Sequence, residues 1–360
     1  RDDGISPPGT AKNVITVGAH VNRYDSPDEM YYWSSRGPTD DGRIKPDLVA
    51  PGDYVRSCRA QEAENAPNNL NNQWYVEYSG TSMSTPAAAG ASVIVREYLM
   101  EIAERPAPQG ALVKAMLILG AVDMGTRDIP NEDEGWGRLN LVNTLVPDGD
   151  IGTYVDDRSR LSSGQQAQYN FDVTRAGETL KVVLAWSDYP GSTWSSTQLR
   201  NDLNLEVTSP DGQVTFFGND FSNGKSTTGG AKDNKNNVEV VLIDSAATGV
   251  WNVKVKDFSH GGSRTYQPFA IAVRGVNVND LIPDPAIIPS SFEISTPIPQ
   301  VGEEAQFSVS VVNQGSGSFP EVHVSAYVNS NHIGTKTLGM SPGEDALLEW
   351  DWTPSFAVDA

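Results

Sequence analysis

Ser82 is the residue of this sequence whose type and setting most clearly indicate chemistry. It lies in YSGTSMSTPAAAG, residues 78–90, between small residues and directly before a stretch that predicts a helix. A serine hydroxyl is a weak nucleophile that needs a general base, a group to orient that base, and N–H donors for the developing oxyanion. At a loop-to-helix junction, the backbone N–H of Ser82 would point out of a helix N-terminus, where negative charge is favoured. The pattern is therefore compatible with an acylating serine, but a serine in an isolated G-T-S stretch more often only caps the helix.

The residues around Ser82 predict how a substrate would approach it. Gly80 has no side chain and leaves room for a scissile carbonyl, and Thr81 lies between Gly80 and the serine. Pro86 cannot donate a backbone hydrogen bond to the carbonyl of Ser82, so the first turn should be open or should begin nearer Thr85.

The partners that Ser82 needs are not evident in this sequence. Its four histidines are not in contexts that predict a catalytic base, and we expect all of them to be surface or loop residues. They are His20, His260, His323 and His332.

Composition excludes several classes of function. The chain has 46 acidic and 26 basic residues, a net charge of −20, which argues against nucleic acid and anionic membrane as partners. No stretch approaches 18 consecutive apolar residues, so we expect no membrane insertion. Cys58 is the only cysteine, so neither an internal disulfide nor a cysteine zinc site can form. Because the chain starts at Arg1 without a signal peptide, we expect a processed product or a fragment.

The first part of the chain alternates short strands with helices. Residues 13–19 (NVITVGA) and 45–52 (KPDLVAPG) predict buried strands, and residues 86–105 and 112–122 predict helices, the second apolar nearly all round. Strands alternating with helices are typical of an α/β layer structure.

The rest of the chain has the alternation of all-β structure. Turn-rich stretches separate the predicted strands, as in a β-sandwich or jelly roll. A proline-containing segment, residues 279–291, predicts a semi-rigid linker. The strands before the linker are 167–174, 180–188, 203–212, 237–244, 250–258 and 269–276, and those after it are 305–315, 321–330, 332–339 and 346–352.

Several motifs in fixed order resemble the C-terminal half of the subtilisin-like serine peptidases. They are SSRGP at 34–38, KPDLVAPG at 45–52 and SGTSMSTPAAAG at 79–90, with EGWGRLNL at 134–141 at the end of the catalytic domain. The resemblance implies that Ser82 is the nucleophile, that its N–H forms half of the oxyanion hole, and that Gly80 and Thr81 contact substrate. In that family the catalytic Asp and His and the oxyanion Asn come earlier in the chain, so the resemblance implies that they lie upstream of Arg1. The family's usual histidine after the proline is replaced here by Ala87.

The two later segments have resemblances of their own. Residues from about 150 to 276 resemble the β-sandwich of alkaline subtilisin-like proteases, some of which bind calcium, and residues 283–360 resemble CARDB-type immunoglobulin-like modules. Calcium is a hard cation that takes oxygen ligands, although Asn and Asp also favour turns for their own hydrogen bonds. The candidate ligands for a structural calcium ion are Asp188, Asn201, Asp202, Asn219 and Asp220.

We therefore expect a multidomain chain. Residues 1–148 would be the α/β C-terminal half of a subtilisin-like parallel-sheet domain, followed by two all-β sandwich modules at 149–278 and 283–360. The predicted function is part of a secreted, monomeric serine endopeptidase that acts on protein or peptide substrates and needs no cofactor for catalysis. The alternative is an extracellular binding or spacer protein whose protease half is degenerate.

The last module is expected to be incomplete. CARDB-like modules place one more strand after a W-T-P turn, and only SFAVDA follows that turn here. Trp350 and Trp352 alternate with Glu349 and Asp351, so the two tryptophans should face the core of the module.

Overall fold

The computed structural model describes most of the chain. The described residues are 4–22, 28–60, 70–103, 105–125, 127–146, 151–192, 194–260, 266–277, 285–296, 299–313, 317, 319–341 and 343–354. None of the helices within these ranges is both long enough and apolar enough to span a membrane.

The first segment combines short strands with three helices. β1 and β2 are parallel, with Val17 opposite Leu48, and β3 and β4 form a separate antiparallel pair. The described part of this segment thus has one parallel pair, and the larger parallel sheet that the sequence predicted is not confirmed. The elements are β1 (Val17–His20), β2 (Leu48–Pro51), β3 (Val55–Cys58), β4 (Tyr75–Tyr78), α1 (Thr81–Glu101), α2 (Gly110–Gly120) and α3 (Leu141–Leu145).

The first predicted strand is shorter than expected because side chains take its hydrogen bonds. The N–H of Thr16 donates to Asp47 Oδ2 at 2.7 Å, and the carbonyl of Val14 accepts from Lys45 Nζ at 3.0 Å. Strand pairing is therefore confined to Val17–His20, and the preceding residues surround a buried ionic cluster.

α1 begins earlier than the sequence indicated. It starts at Thr81 and includes Pro86, so the alternative of a start nearer Thr85 was wrong, and it ends at Glu101, before the expected end near 105. A proline at the sixth helical position removes the N–H that would reach the carbonyl of Ser82, but the helix turns before it continue. The helix therefore places Ser82 in its first turn.

α2 is buried along nearly its whole length, as its apolar sequence predicted. One side packs with α1, and the other packs on a sheet of the second segment. This double contact explains why α2 has no polar stripe.

The second segment is a sandwich of two four-stranded antiparallel sheets. Their orders are β10-β9-β14-β7 and β13-β8-β16-β5, and a core that includes Phe171, Trp186 and Phe269 fills the space between them. The predicted strands all appear. The segment also contains strands that the sequence did not predict, most of which are short. The elements are β5 (Ile151–Asp156), β6 (Arg160–Ser162), β7 (Gln166–Val173), β8 (Leu180–Ala185), β9 (Asn201–Thr208), β10 (Thr215–Phe217), β11 (Phe221–Ser222), β12 (Lys225–Ser226), β13 (Val238–Ile243), β14 (Gly249–His260), β15 (Tyr266–Pro268) and β16 (Ala270–Asn277).

Lys181 joins the sandwich to α2. Its Nζ donates to the carbonyls of Ile118 at 2.7 Å and Ala121 at 3.3 Å, at the C-terminal end of that helix. Burial, together with the positive charge of Arg274, lowers the pKa of Lys181 to about 7. A cation at a helix C-terminus is stabilised by the exposed carbonyls, but here it is also removed from water.

Replacing Lys181 by methionine should flatten the dependence of stability on pH between 7 and 10. In the unfolded chain this lysine keeps its ordinary pKa near 10.5, so the unfolded state binds more protons in this range and wild-type stability rises with pH. We expect the melting temperature of the wild type to rise by at least about 3 °C more than that of Lys181→Met. The matched control is Lys336→Met, an exposed lysine, and parallel pH curves for wild type and Lys181→Met would contradict the prediction.

The third segment has a three-stranded sheet, β17-β18-β21, and a β19–β20 hairpin. Trp350 is buried and Trp352 is half-buried, so the predicted inward face of this strand is confirmed. The linker prediction was wrong over 285–291, because these residues belong to a strand whose residues 285–288 pair with the following strand, and 279–284 lie outside the described residues. The elements are β17 (Pro285–Ile294), β18 (Ala305–Asn313), β19 (Phe319–Val328), β20 (Asn331–Met340) and β21 (Asp345–Trp352).

Candidate active-site serine and acidic cluster

Ser82 is exposed in the first turn of α1 and does not cap the helix. The capping position is Gly80, and no side chain caps this helix end. Neither the hydroxyl nor the N–H of Ser82 has a hydrogen-bond partner among the residues that the structure describes. The capping alternative therefore does not account for Ser82, whose donor and nucleophile groups are both free.

The loop before Ser82 is held by close backbone contacts. Gly80 has φ 137°, a conformation that favours glycine, and its N–H donates to the carbonyl of Gly52 at 2.6 Å. A Cβ on Gly52 would lie 2.3 Å from Ser84 Oγ and 2.6 Å from Ala19 Cβ. The end of β2 therefore packs directly under the start of α1, and this contact fixes the height of Ser82 above the strands.

A buried carboxylate supports the same loop. Ser79 Oγ donates to Asp53 Oδ1 at 3.1 Å and accepts from the N–H of Tyr54 at 2.8 Å. Asp53 is buried, as is Tyr31. Neither Asp53 nor Ser79 was predicted from the sequence, although Asp53 directly follows the predicted strand end at Gly52.

The histidines do not supply a base to Ser82 within the described residues. His20 is buried at the end of β1, where Nδ1 contacts the carbonyl of Val21 at 2.6 Å, so the expectation of a surface or loop residue was wrong for it. Burial lowers the pKa of His20. His323 and His332 are exposed and pair with threonine hydroxyls of their own segment, and the side chain of His260 lies outside the described residues.

Asp188, one of the predicted calcium ligands, is occupied by protein donors. It forms a buried ion pair with Lys12, and it accepts from the N–H groups of Arg200 at 2.8 Å and Asn201 at 2.9 Å. Asn13 also bonds to the backbone of Asp188 in both directions. Asp188 thus ties the first segment to the sandwich. The side chain of Asn201 donates to Gln267.

Two further predicted ligands hold loops in place. Asn219 has φ 62°, and its side-chain amide donates to Asp233 at 2.5 Å and to the carbonyl of Val238 at 2.8 Å. Asp220 accepts from the N–H of Gly230 at 2.9 Å. These contacts are the turn-stabilising bonds that Asn and Asp commonly make.

The fifth predicted ligand, Asp202, belongs to an acidic cluster that the sequence did not reveal. Burial, together with the charges of Asp233 and Asp257, raises the pKa of Asp202 to about 7. Burial also raises the pKa of Glu239 well above its ordinary value, with a contribution from Asp233. Glu239 Oε2 accepts from the N–H of Leu205 at 2.6 Å.

Two oxygens of this region are buried without a hydrogen-bond partner. They are Glu239 Oε1 and Asn204 Oδ1. Such groups cost about 1–3 kcal/mol each unless something satisfies them. Among the described residues, no three His, Cys, Asp or Glu side chains converge in a ready-made metal site.

The chain matches three protein families in succession. Residues 1–137 match the subtilase family, residues 192–269 match the proprotein convertase P-domain, and residues 279–359 match CARDB. The sandwich segment, which resembled that of alkaline subtilisin-like proteases, is thus matched to the P-domain.

Similar proteins include three annotated proteases. The serine protease/ABC transporter B family protein tagD of Dictyostelium discoideum is 28% identical over 62% of this chain and 16% of its own length. The serine protease AprX of Bacillus subtilis is 38% identical over 25% of this chain and 22% of its own. The C5a peptidase of Streptococcus pyogenes is 32% identical over 56% of this chain and 16% of its own.

The chain spans less than a quarter of the length of each of these relatives. The match to the subtilase family covers the strands, the loop and the helix that carry Ser82. Residues 1–137 are therefore similar to the subtilase family, and the segments that follow are similar to the proprotein convertase P-domain and to CARDB.

Proposed function

We propose that this chain supplies the nucleophile-bearing part of a secreted serine endopeptidase of the subtilisin type. The observation that carries the proposal is Ser82, whose exposed hydroxyl and free N–H lie together at the start of α1, above a loop shaped by Gly80. The catalytic Asp and His and the oxyanion Asn would lie upstream of this chain. The substrate would be a protein or peptide, and the chain would act as a monomer.

The proposed reaction follows from the groups at Ser82. Its Oγ attacks the carbonyl carbon of the scissile peptide, and its proton passes to the upstream histidine. The N–H of Ser82 donates to the oxyanion that forms, and the helix N-terminus favours this negative charge. The C–N bond then breaks as the histidine protonates the leaving amine, and water hydrolyses the acyl-enzyme to restore Ser82. Gly80 and Thr81 would border the bound carbonyl.

A fluorophosphonate probe tests this proposal directly. The longer polypeptide that contains the upstream residues should be labelled at Ser82 with one probe per chain, because a general base activates the hydroxyl. Residues 1–360 alone should remain unlabelled and should not hydrolyse casein above background. A longer polypeptide that is not labelled would favour the degenerate, binding-protein alternative, and labelling of the chain alone would show that a base lies within it.

We also propose that the chain consists of three structural units, residues 1–148, 149–278 and 283–360. The separate core around Phe307 and Trp350 supports the third unit. The core that α2 shares with the sandwich supports a firm junction between the first two units. We propose that the two β units stabilise the protease and engage substrate.

We also propose that the sandwich binds a structural calcium ion. The ion would bind at the acidic cluster around Asp202 and Glu239, and the five candidate ligands predicted from the sequence would not all coordinate it. Asp202 and Glu239 provide carboxylates, and Asn204 provides an unpartnered buried oxygen, which is the ligand type that calcium takes. A bound cation would offset the mutual repulsion of these carboxylates. Asp188, Asn219 and Asp220 would act in support, through the loops that they hold.

Calcium should raise the melting temperature of the sandwich, and a chelator should lower it again. A ligand that binds only the folded state stabilises it by about 2.7 kcal/mol at 100 times its Kd. In Glu239→Gln the shift should disappear, because the buried charge is removed while an oxygen remains to accept from Leu205. The matched control is Asp211→Asn, an exposed carboxylate, which should keep the shift. Identical melting curves with and without calcium would leave only the turn-forming role of these residues.

A further inference from the structure

A cleft of about 420 Å³ lies between the sandwich and the third segment. One wall is the strand β7 at Gln166–Tyr169 with the neighbouring residues of β6, and the opposite wall is the β17–β18 pair, including Ile288 and Ser310. The cleft is lined by different elements from those that carry Ser82, so binding in it does not depend on the proposed catalysis.

The β7 wall is a sheet edge. β7 is the last strand of its sheet and pairs with β14 alone among the described residues, with Ala167 opposite Val255 and Tyr169 opposite Val253. In an antiparallel strand the N–H and C=O of alternate residues point to opposite sides. About half of the backbone groups at Gln166–Tyr169 therefore point away from β14, where an added strand could pair with them.

The opposite wall contains an irregularity that opens the cleft. Pairing between β17 and β18 passes from Ile288 opposite Ser310 to Glu293 opposite Ser308, so several residues of β17 form a bulge. Ser291 closes this bulge, because its Oγ accepts from the N–H of Ser310 at 2.7 Å and donates to the carbonyl of Ile288 at 2.7 Å. Bulges commonly re-aim side chains at sheet edges.

Hydrogen bonds between the segments hold the walls apart at a set distance. Gln165 Nε2 donates to Ser290 Oγ at 2.9 Å, and Ser159 Oγ lies 3.4 Å from the carbonyl of Gly343. Ser159 is fixed in turn by buried Asp156, which also accepts from the hydroxyl of Tyr169. These contacts leave the cleft preformed, which lowers the ordering cost of binding.

The lining mixes polar and apolar side chains and is close to neutral, in contrast to the net charge of the chain. Serines and glutamines are its commonest polar members, and Arg160 and Asp345 are its charged members, of opposite sign. Such a lining suits a ligand with alternating donors and acceptors and no strong charge. A volume of about 420 Å³ falls at the small end of the range for specific ligand sites.

We propose that this cleft binds an extended polypeptide segment, which adds a strand to the free edge of β7. Main-chain hydrogen bonds to β7 would provide affinity, and contacts of alternate side chains with the serines and glutamines of the walls would provide selectivity. An uncharged polypeptide in extended conformation, with polar and apolar side chains, matches both features, the free edge and the mixed, nearly neutral lining.

The test uses residues 1–360 with Ser82→Ala, so that no cleavage can occur. The probe is the blocked hexapeptide acetyl-Ser-Val-Thr-Val-Ser-Val-amide, with a fluorophore on one end, and binding is measured by fluorescence polarisation. Gln166→Trp, which places a bulky ring at the mouth of the cleft, should weaken binding at least tenfold. The matched control Gln213→Trp, in an exposed turn of the same sandwich, should change it less than twofold.

A second probe distinguishes binding by strand addition to β7 from other ways in which the peptide could bind in the cleft. The same hexapeptide with N-methyl groups on alternate residues cannot donate those main-chain hydrogen bonds and should not bind. Equal binding of the N-methylated peptide, or an unchanged Kd in Gln166→Trp, would overturn the proposal. The proposal would also be overturned if the hexapeptide did not bind, or if the oligosaccharide maltohexaose bound and the hexapeptide did not. Circular dichroism of each variant confirms that a loss of binding does not arise from unfolding.

Discussion

Replacing Ser82 by alanine should lower kcat for peptide hydrolysis by about 10⁶-fold in the longer polypeptide that the proposed function requires. The hydroxyl provides the attacking oxygen, so its removal eliminates the acyl-enzyme route and leaves what binding and oxyanion stabilisation supply. KM should change little, because the exposed hydroxyl makes no contact that positions neighbouring groups. The measurement is steady-state hydrolysis of a fluorogenic peptide.

The control for this variant lies on the same helix. Ser92 donates from Oγ to the carbonyl of Ala88 at 2.8 Å and is three turns from Ser82. Ser92→Ala should keep kcat within about twofold and should reveal any general sensitivity of α1 to loss of a hydroxyl. Activity of Ser82→Ala above about 1% of wild type would show that another residue is the nucleophile.

Replacing Asp47 by asparagine should reduce the free energy of unfolding of the first segment by about 3–5 kcal/mol. Asp47 is buried between Lys114 Nζ at 2.7 Å and Lys45 Nζ at 2.5 Å, and it also accepts from the N–H of Thr16. Without its charge, two ammonium groups would remain in the interior with only carbonyls as partners. This local loss of charge pairing is the physical cause of the expected effect.

The pKa values of Asp47 and its partner Lys45 predict how the stability of the first segment depends on pH. Burial alone would raise the pKa of Asp47, but the charges of Lys114 and Lys45 outweigh it and hold the pKa below its ordinary value. The stability that this carboxylate contributes is therefore present above its unfolded pKa and is lost as the pH falls through the lower, folded value. Burial lowers the pKa of Lys45 to about 8, against the attraction of Asp47.

Hydrogen exchange at the amides of α2 measures the effect of Asp47→Asn on this segment. The matched control is Asp211→Asn, which should leave hydrogen exchange in α2 unchanged because Asp211 is exposed and lies in the sandwich. Adding Lys45→Met to Asp47→Asn should restore part of the loss, since one buried cation is removed. A loss of less than about 1 kcal/mol in Asp47→Asn would mean that water or backbone groups already compensate the two lysines.

The order of the elements and the position of Ser82 followed from local sequence. The apolar run of α2 predicted its burial, and the alternation of polar and apolar residues located the main strands of both β segments. The small residues before α1 predicted a serine at the helix start, because Gly80 and its neighbours permit a tight turn there. The burial of α2, the main strands and the start of α1 depend on residues close together in the chain, so local sequence patterns predict them.

Only the tertiary structure revealed the groups whose partners lie far along the chain. Lys12 and Asp188 are 176 residues apart, and Lys181 reaches the end of α2 across about 60 residues. No local period distinguishes these buried lysines from solvated ones, since a lysine's burial depends on which remote carbonyl or carboxylate receives it. The cluster of Asp202 and Glu239 could not be predicted for the same reason. Nor could β17, because its prolines predicted a linker, and only the structure shows that it pairs with β18.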